Sequence, residues 1–388
     1  MQQFPLLRRR GSPAVGRVLL PLTVALVVWL AGVVIAGGQA APERPPMAEE
    51  VFKNIQVLKG IPVDEFMGTM GFFSSAVGLN CTDCHVDESG GSWARYADDN
   101  ALKQMARRMI VMMNTINRTN FGGRQVVTCN TCHRGTPRPS VMPSINLLYG
   151  EPPPDEPGDP FVQAPGQPPA DQVLDRYLAA IGGAARAAAL TSVTGKGTFI
   201  GFDDPEKLPM EIYARAPGRR TTVVHGLSGD TTAVVDGRGG WIAAPPTDRP
   251  VPLLTLTGQE LEGTRLEAEL LFPARIKELL TNWRVGVPAI LDDREVHVVQ
   301  GTAAGGAVAT LCFDMETGLL VRLVRYAASP VGRLVTRIDY GDYREVAGVR
   351  MPFRWTVSWL SGRSTYELTD VQPNMPIPDA RFARPDPR

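Results

Sequence analysis

The sequence predicts a multidomain protein in which an α-helical region is followed by a mainly antiparallel β half-barrel. Three observations support this fold class. Residues 41–138 contain two helix-length apolar patterns, residues 139–170 are rich in proline, and residues 171–388 consist mainly of short alternating segments between turn residues. The 388-residue chain is 44% apolar and 21% charged, a composition typical of globular domains with room for two of them.

The first 40 residues have the pattern of an export segment. Arg8, Arg9, Arg10 and Arg17 precede an apolar run over residues 18–36, and small residues follow. The run is close to the roughly 20 residues that span a bilayer. A cleaved signal peptide and an uncleaved N-terminal membrane anchor are both compatible with this pattern. Either one predicts a periplasmic protein, soluble or held at the outer face of the cytoplasmic membrane.

The charge balance gives no sign of a nucleic-acid partner. Lys and Arg together number 40, and so do Asp and Glu. A chain without excess positive charge lacks the electrostatic footprint that polyanions require.

Two C-x-x-C-H motifs use four of the five cysteines and two of the four histidines. This is the attachment signature of c-type haem, because two thiols three positions apart can reach both vinyl groups of one porphyrin and the next residue brings an imidazole to the iron. Two motifs predict two covalently bound haem c groups, so residues 41–138 are interpreted as a dihaem cytochrome c domain. The thioether cysteines would be Cys81, Cys84, Cys129 and Cys132, and the iron-ligating histidines His85 and His133.

Other uses of paired cysteines are less consistent with this pattern. Exported cysteines often form disulfides, and C-x-x-C pairs also occur in redox dithiols and zinc sites. A zinc site would leave the following histidines unexplained, and a thioredoxin-like site would need a βαβ context. Cys312 stands apart in an alternating segment and is interpreted as a small buried residue on a strand.

Each motif is preceded by a predicted helix. The first begins at Pro62, carries acidic residues in its first turn, and ends at Gly78. The second extends over about residues 98–117 and is followed by Gly122 and Gly123. Its apolar stripe consists of Leu102, Met105, Met109, Met112 and Ile116.

The sixth iron ligands are predicted to be methionines. A haem iron held by one histidine has either a second protein ligand, which suits electron transfer, or an open face. The two remaining histidines, His225 and His297, lie in the predicted β region, where they are interpreted as ordinary strand residues. Core packing alone is the alternative role for the methionines. The candidates are Met70 for the first iron with Met67 in reserve, and Met109 for the second iron ahead of Met112 and Met113.

Several segments resemble the cytochrome subunit bound to photosynthetic reaction centres. They are EEVFKNIQVLKG at 49–60, ARRMI at 106–110, IN at 116–117 and VTCNTCHRG at 127–135. In that family each haem lies along the helix before its motif, and a methionine of that helix usually supplies the sixth ligand. By position, the resemblance implies Met70 and Met109 as ligands. It covers about residues 47–138.

The chain also departs from that family. The best-known members carry four haems in two paired units, whereas this sequence has one pair. The resemblance therefore implies an electron carrier whose partners are redox proteins, either a membrane reaction centre or a respiratory complex. No enzyme activity is expected. The alternatives are a haem enzyme of peroxidase type with one open iron, and a ligand-binding protein whose haems report redox state.

Residues 139–170 are predicted to form a proline-rich linker between the two regions, and residues 171–388 the β domain. A helix is predicted at about 170–189. Strands are predicted around 210–214, 220–224, 232–235, 295–299, 319–323, 354–358 and 365–368, with a covering helix near 274–281.

The outline of residues 171–380 resembles the periplasmic lipoprotein-carrier half-barrel. The segments VTGKGT at 193–198, YARAPGRR at 213–220 and FDMETGLLVR at 313–322 contribute to this likeness. Because that fold holds acyl chains, the resemblance implies a lipid or quinone ligand, with a docking or spacer module as the alternative. A purified protein without bound lipid or affinity for amphiphiles would count against the ligand.

Overall fold

The computed structural model describes residues 44–142, 145, 160–202 and 206–386. The predicted export segment lies outside these residues, as does most of the proline-rich stretch. Within the described part, no helix is both long and apolar enough to cross a membrane. Residues Pro45–Arg388 form one compact unit.

The helical region has two long helices, and the sequence predicts both. The first begins after Pro62 and ends at Gly78, whose φ of 65° is in the left-handed region that favours glycine. The second begins after Asn100, whose side chain accepts a hydrogen bond from the backbone N–H of Lys103 at 2.8 Å. The helices are α1 (Ala48–Val51), α2 (Val63–Val77), α3 (Cys81–Cys84), α4 (Ala101–Asn120) and α5 (Cys129–His133), with 3-10 turns at Asp87–Gly91 and Trp93–Ala97.

The helix predicted at 170–189 is two helices in the structure. Gly182 and Gly183, with φ of 115° and 99°, separate them. A further helix, at Gly258–Glu269, was not predicted from the sequence. The helices here are α6 (Ala170–Ala180), α7 (Ala184–Ala189), α8 (Gly258–Glu269) and α9 (Ile276–Leu279).

The β region forms one antiparallel sheet of 14 strands in the described residues, which confirms the predicted fold class. The seven predicted strand segments all fall on strands. The strands are β1 (Ser192–Ile200), β2 (Leu208–Arg215), β3 (Arg219–Gly226), β4 (Gly229–Val235), β5 (Gly240–Ala243), β6 (Leu253–Thr255), β7 (Thr281–Val285), β8 (Ala289–Leu291), β9 (Arg294–Thr302), β10 (Val308–Asp314), β11 (Leu320–Ser329), β12 (Gly332–Val346), β13 (Val349–Trp359) and β14 (Gly362–Pro373). Their order is β6-β5-β4-β3-β2-β1-β14-β13-β12-β11-β10-β9-β7, and β8 pairs with β9.

Two apolar clusters form the core of the β region. In one, α6 packs through Leu174 and Tyr177 against strand residues such as Leu311 and Phe313. The other joins strands from both halves of the sheet, including β2, β13 and β14. Cys312 is buried on β10, as predicted.

The end of the predicted linker lies against the edge strand β7. The backbone N–H of Ala164 donates to the carbonyl of Val285 at 2.8 Å, and the side chain of Gln163 accepts from the N–H of Val285 at 2.8 Å. These bonds satisfy backbone groups that an edge strand would otherwise expose. The domain boundaries at residues 138 and 170 stay predictions of the sequence.

The helical region packs directly on the sheet. Phe72 and Ala76 of α2 form an apolar cluster with Val331, which lies in the turn between β11 and β12. Gly332 allows this approach, because a Cβ there would lie 2.3 Å from the ring of Phe72. The helix that precedes the first motif is therefore fixed to the β region.

A buried carboxylate adds a polar contact between the two regions. Asp64 on α2 accepts hydrogen bonds from the backbone N–H of Thr257 at 2.6 Å and from its hydroxyl at 2.8 and 2.9 Å. Thr257 precedes α8, so Asp64 binds the N-terminus of that helix. Burial raises the pKa of Asp64, and the bonds from Thr257 oppose the rise.

Asp64→Ala should lower the free energy of unfolding by about 1–3 kcal/mol, because buried donors of Thr257 lose their acceptor. Asp64→Asn keeps an acceptor and removes the cost of a buried charge. Since the folded pKa is raised, the parent loses stability relative to Asp64→Asn as pH rises from the unfolded value near 3.8 through the folded pKa. Urea unfolding at several pH values measures this, and equal stability of the alanine variant and the parent would contradict it.

Candidate haem-attachment sites

The first motif forms a single helical turn. The backbone N–H of Asn80 donates to the carboxylate of Asp83 at 2.7 Å at the start of α3, and the N–H of His85 donates to the carbonyl of Cys81 at 3.0 Å at its end. Cys81 is exposed and Cys84 is half-buried. Both thiols and the imidazole therefore come from one short, capped turn.

His85 is held in the form that binds iron. Its Nδ1 lies 3.1 Å from the carbonyl oxygen of Tyr96. A carbonyl only accepts, so Nδ1 carries the proton and Nε2 keeps its lone pair for a metal. Burial lowers the pKa of His85, and the charge of Lys103 lowers it further. Both effects favour the neutral imidazole, which is the form that binds a metal.

A network of side chains fixes the segment that supplies this carbonyl. Asn54 donates to the carbonyl of Ala97 at 2.7 Å and to the carboxylate of Asp99 at 2.9 Å. Arg107 pairs with Asp99 at 2.9 Å. The sequence does not reveal this network, because Asn54 lies more than 40 residues before its partners.

The second motif repeats the first. At the start of α5 the N–H of Thr128 donates to the hydroxyl of Thr131 at 3.0 Å. The Nδ1 of His133 lies 3.0 Å from the carbonyl of Thr136, and the hydroxyl of Thr136 donates to the carbonyl of His133 at 2.7 Å. The second imidazole therefore also keeps Nε2 for a metal.

Asn117, a buried residue near the end of α4, forms hydrogen bonds to the chain just before the second motif. Its side-chain oxygen accepts from the N–H groups of Val126 and Val127 at 3.1 and 2.9 Å, and its amide donates to the carbonyl of Val127 at 2.7 Å. This side chain therefore sets the position at which α5 begins.

The second motif lies against the helix that precedes the first. The N–H of Gly135, just after the second motif, donates to the carbonyl of Ala76 at 2.9 Å near the end of the helix before the first. A Cβ on Gly78 would lie 2.3 Å from the carbonyl oxygen of Gly135. Glycine at this position permits the close approach.

One thiol of each motif is shifted away from the reactive thiolate form. Burial raises the pKa of the Cys84 thiol, and also that of Cys129. Reactive dithiols need a lowered thiol pKa. In the described residues, no group of three or more His, Cys, Asp or Glu side chains is placed to hold a metal ion.

The predicted apolar stripe of α4 lies largely on its surface. Leu102, Met105 and Met112 are 50%, 44% and 46% exposed, whereas Ile110 and Met113 are buried. This exposed apolar face, on the helix that lies between the two motifs in the chain, would suit a porphyrin, which would cover it. The residues present therefore fit haem by ligand chemistry and by surface.

The predicted sixth ligands lie on α2 and α4. Met70 is partly buried and packs in the apolar cluster that contains Leu58 and Met113. Met109 is also half-buried. Their ligation of iron stays a prediction. His225 pairs with Asp230 at 2.8 Å on the β3–β4 hairpin, and His297 lies on β9.

Residues 28–146 match the family model of the photosynthetic reaction centre cytochrome C subunit. Curated relatives include this subunit from Thermochromatium tepidum, 39% identical over 104 residues, which are 26% of this chain and 24% of the relative. The subunit from Rubrivivax gelatinosus is 34% identical over 107 residues, covering 26% of this chain and 27% of the relative. The chain thus spans about a quarter of these relatives, and the resemblance recognised in the N-terminal sequence is confirmed.

Solved structures similar to this chain include a LolA superfamily protein from Nitrosomonas europaea. It has a TM-score of 0.39 and 14% identity, and the match covers 56% of this chain and 98% of that one. Another is an outer membrane lipoprotein-sorting protein domain from Vibrio parahaemolyticus, with a TM-score of 0.37, 9% identity and coverage of 55% and 97%.

Proposed function

We propose that the protein is a dihaem c-type cytochrome that carries single electrons outside the cytoplasm. The observation that carries this proposal is the repeated arrangement of the two motifs. Each places two cysteines on one helical turn and holds the Nδ1 of the next histidine against a backbone carbonyl. A redox dithiol or a disulfide would have no use for an oriented imidazole after the second cysteine.

The residues divide between attachment and ligation. Cys81 and Cys84 would form the thioethers of the first haem, with His85 and Met70 on its iron. Haem supplies a one-electron iron couple when bound, and paired protein ligands on both faces favour electron transfer over ligand chemistry. For the second haem the corresponding residues are Cys129, Cys132, His133 and Met109.

The location and partners belong to the same proposal. The N-terminal apolar run supports export to the periplasm, either as a soluble protein or held at the outer face of the cytoplasmic membrane. The similarity to reaction-centre cytochrome subunits supports a membrane reaction centre as partner, and a respiratory complex uses the same chemistry. Lipid or quinone binding by the β region stays a prediction from its outline.

Expression with c-type maturation machinery tests the proposal. We expect two covalent haems per chain, counted by the absorbance of the pyridine complex and by intact mass. Haem should remain attached after denaturation, because thioethers hold it. A folded chain without covalent haem would refute the function.

A further inference from the structure

The carbonyl that orients His85 also accepts a hydrogen bond from a lysine. The Nζ of Lys103 lies 2.7 Å from the carbonyl oxygen of Tyr96, and the Nδ1 of His85 lies 3.1 Å from the same atom. Lys103 also donates to the carbonyl of Asp98 at 3.0 Å, and its side chain is only 16% exposed. A largely buried ammonium group therefore shares an acceptor with the imidazole.

The carboxylates nearest to this ammonium group also pair with arginines. Asp98 pairs with Arg95 at 2.9 Å. Asp99 pairs with Arg107 at 2.9 Å and lies 3.8 Å from Lys103. Lys103 and Arg107 therefore share the Asp99 carboxylate, and Lys103 is the cation of this group that bonds directly to the acceptor of the first imidazole.

The second motif has a neutral counterpart. The carbonyl of Thr136 accepts from the Nδ1 of His133 at 3.0 Å, and the hydroxyl of the same threonine bonds to the carbonyls of His133 and Arg138. These partners are uncharged backbone and hydroxyl groups. The acceptor of the first histidine thus also binds an ammonium group, whereas the other bonds described around Thr136 are neutral.

We propose that Lys103 raises the reduction potential of the haem at the first motif. This rests on the proposed function. Two effects act in the same direction. A cation near the site disfavours ferric iron, which carries one more positive charge than ferrous iron. Competition for the Tyr96 carbonyl weakens the Nδ1–H bond, and this makes the imidazole a poorer electron donor to iron.

The test is a spectroelectrochemical titration of the full chain. Lys103→Met should move one of the two one-electron steps to lower potential and leave the other in place. Lys103→Arg keeps the charge, so both one-electron steps should stay close to their potentials in the parent. Lys59→Met removes the same charge elsewhere in the helical region and should leave both steps unchanged.

The outcomes separate this inference from the function on which it rests. If Lys103→Met carries two attached haems and neither step moves, the role of Lys103 is overturned but the proposed function is not. An equal shift of both steps would have the same meaning. Absence of haem from the first motif of the parent would overturn both proposals. Lys103→Gln gives a second neutral variant if the methionine variant fails to fold, as judged by circular dichroism.

Discussion

Replacement of both Cys81 and Cys84 by alanine is expected to leave one covalent haem per chain instead of two. The matching change at Cys129 and Cys132 should have the same result. Each motif has its own capped turn and its own carbonyl for the histidine, so one attachment does not require the other. Haem absorbance should fall by half, the intact mass should fall by one haem, and the masses of the digested peptides should show which motif has lost it.

Cys312→Ala is the matched control for these variants. This thiol is buried on β10, away from both motifs, and both haems should remain. Loss of both haems from a double variant whose sheet still folds would show that the two attachments depend on each other. Retention of both haems would mean that the motifs are not the attachment sites.

The sequence predicted the elements whose residues follow one local rule. Helix α2 begins after a proline and ends at a glycine in the left-handed conformation. The sheet is antiparallel, and strands such as β2 alternate buried and half-buried residues, so period-two patterns identified them. The C-x-x-C-H motifs were visible because the spacing itself carries the chemistry.

Helix α8 was not predicted from the sequence because the side that it buries is charged. Glu260 and Glu267 on this helix both pair with Arg325, at 2.7 Å in each case, and Arg325 is buried on β11. A helix that buries carboxylates against an arginine has no apolar stripe to detect, so hydrophobic periodicity does not identify it. The register that brings these charges together depends on the whole sheet.

The groups that orient the histidines could not be predicted from the sequence either. Their acceptors are the backbone carbonyls of Tyr96 and Thr136, and a carbonyl is present in every residue whatever its side chain. Asn54, which fixes one of these segments, lies more than 40 residues before it. The contact between its amide and the loop after the first motif is seen only in the structure.

Met70→Leu and Met109→Leu should each open one iron to an external ligand. Leucine keeps nearly the volume of methionine but has no sulfur, so these variants separate ligation from packing. After reduction, we expect each variant to bind one carbon monoxide per chain and the parent to bind none. The visible spectrum under carbon monoxide, recorded at known haem content, measures this directly.

Met113, an alternative ligand of the second iron in the sequence, is expected from its burial to be a core residue, and it serves as the control for packing. Carbon monoxide binding by its variant would make it a ligand instead. It is 4% exposed and packs in the same cluster as Met70. Met113→Ala should lower the free energy of unfolding by about 2–5 kcal/mol through the cavity it leaves, with no binding of carbon monoxide. A Met70→Leu variant that, like the parent, binds no carbon monoxide would show that Met70 is a packing residue. Carbon monoxide binding by the parent would mean an open iron, and the peroxidase alternative would then replace the electron carrier.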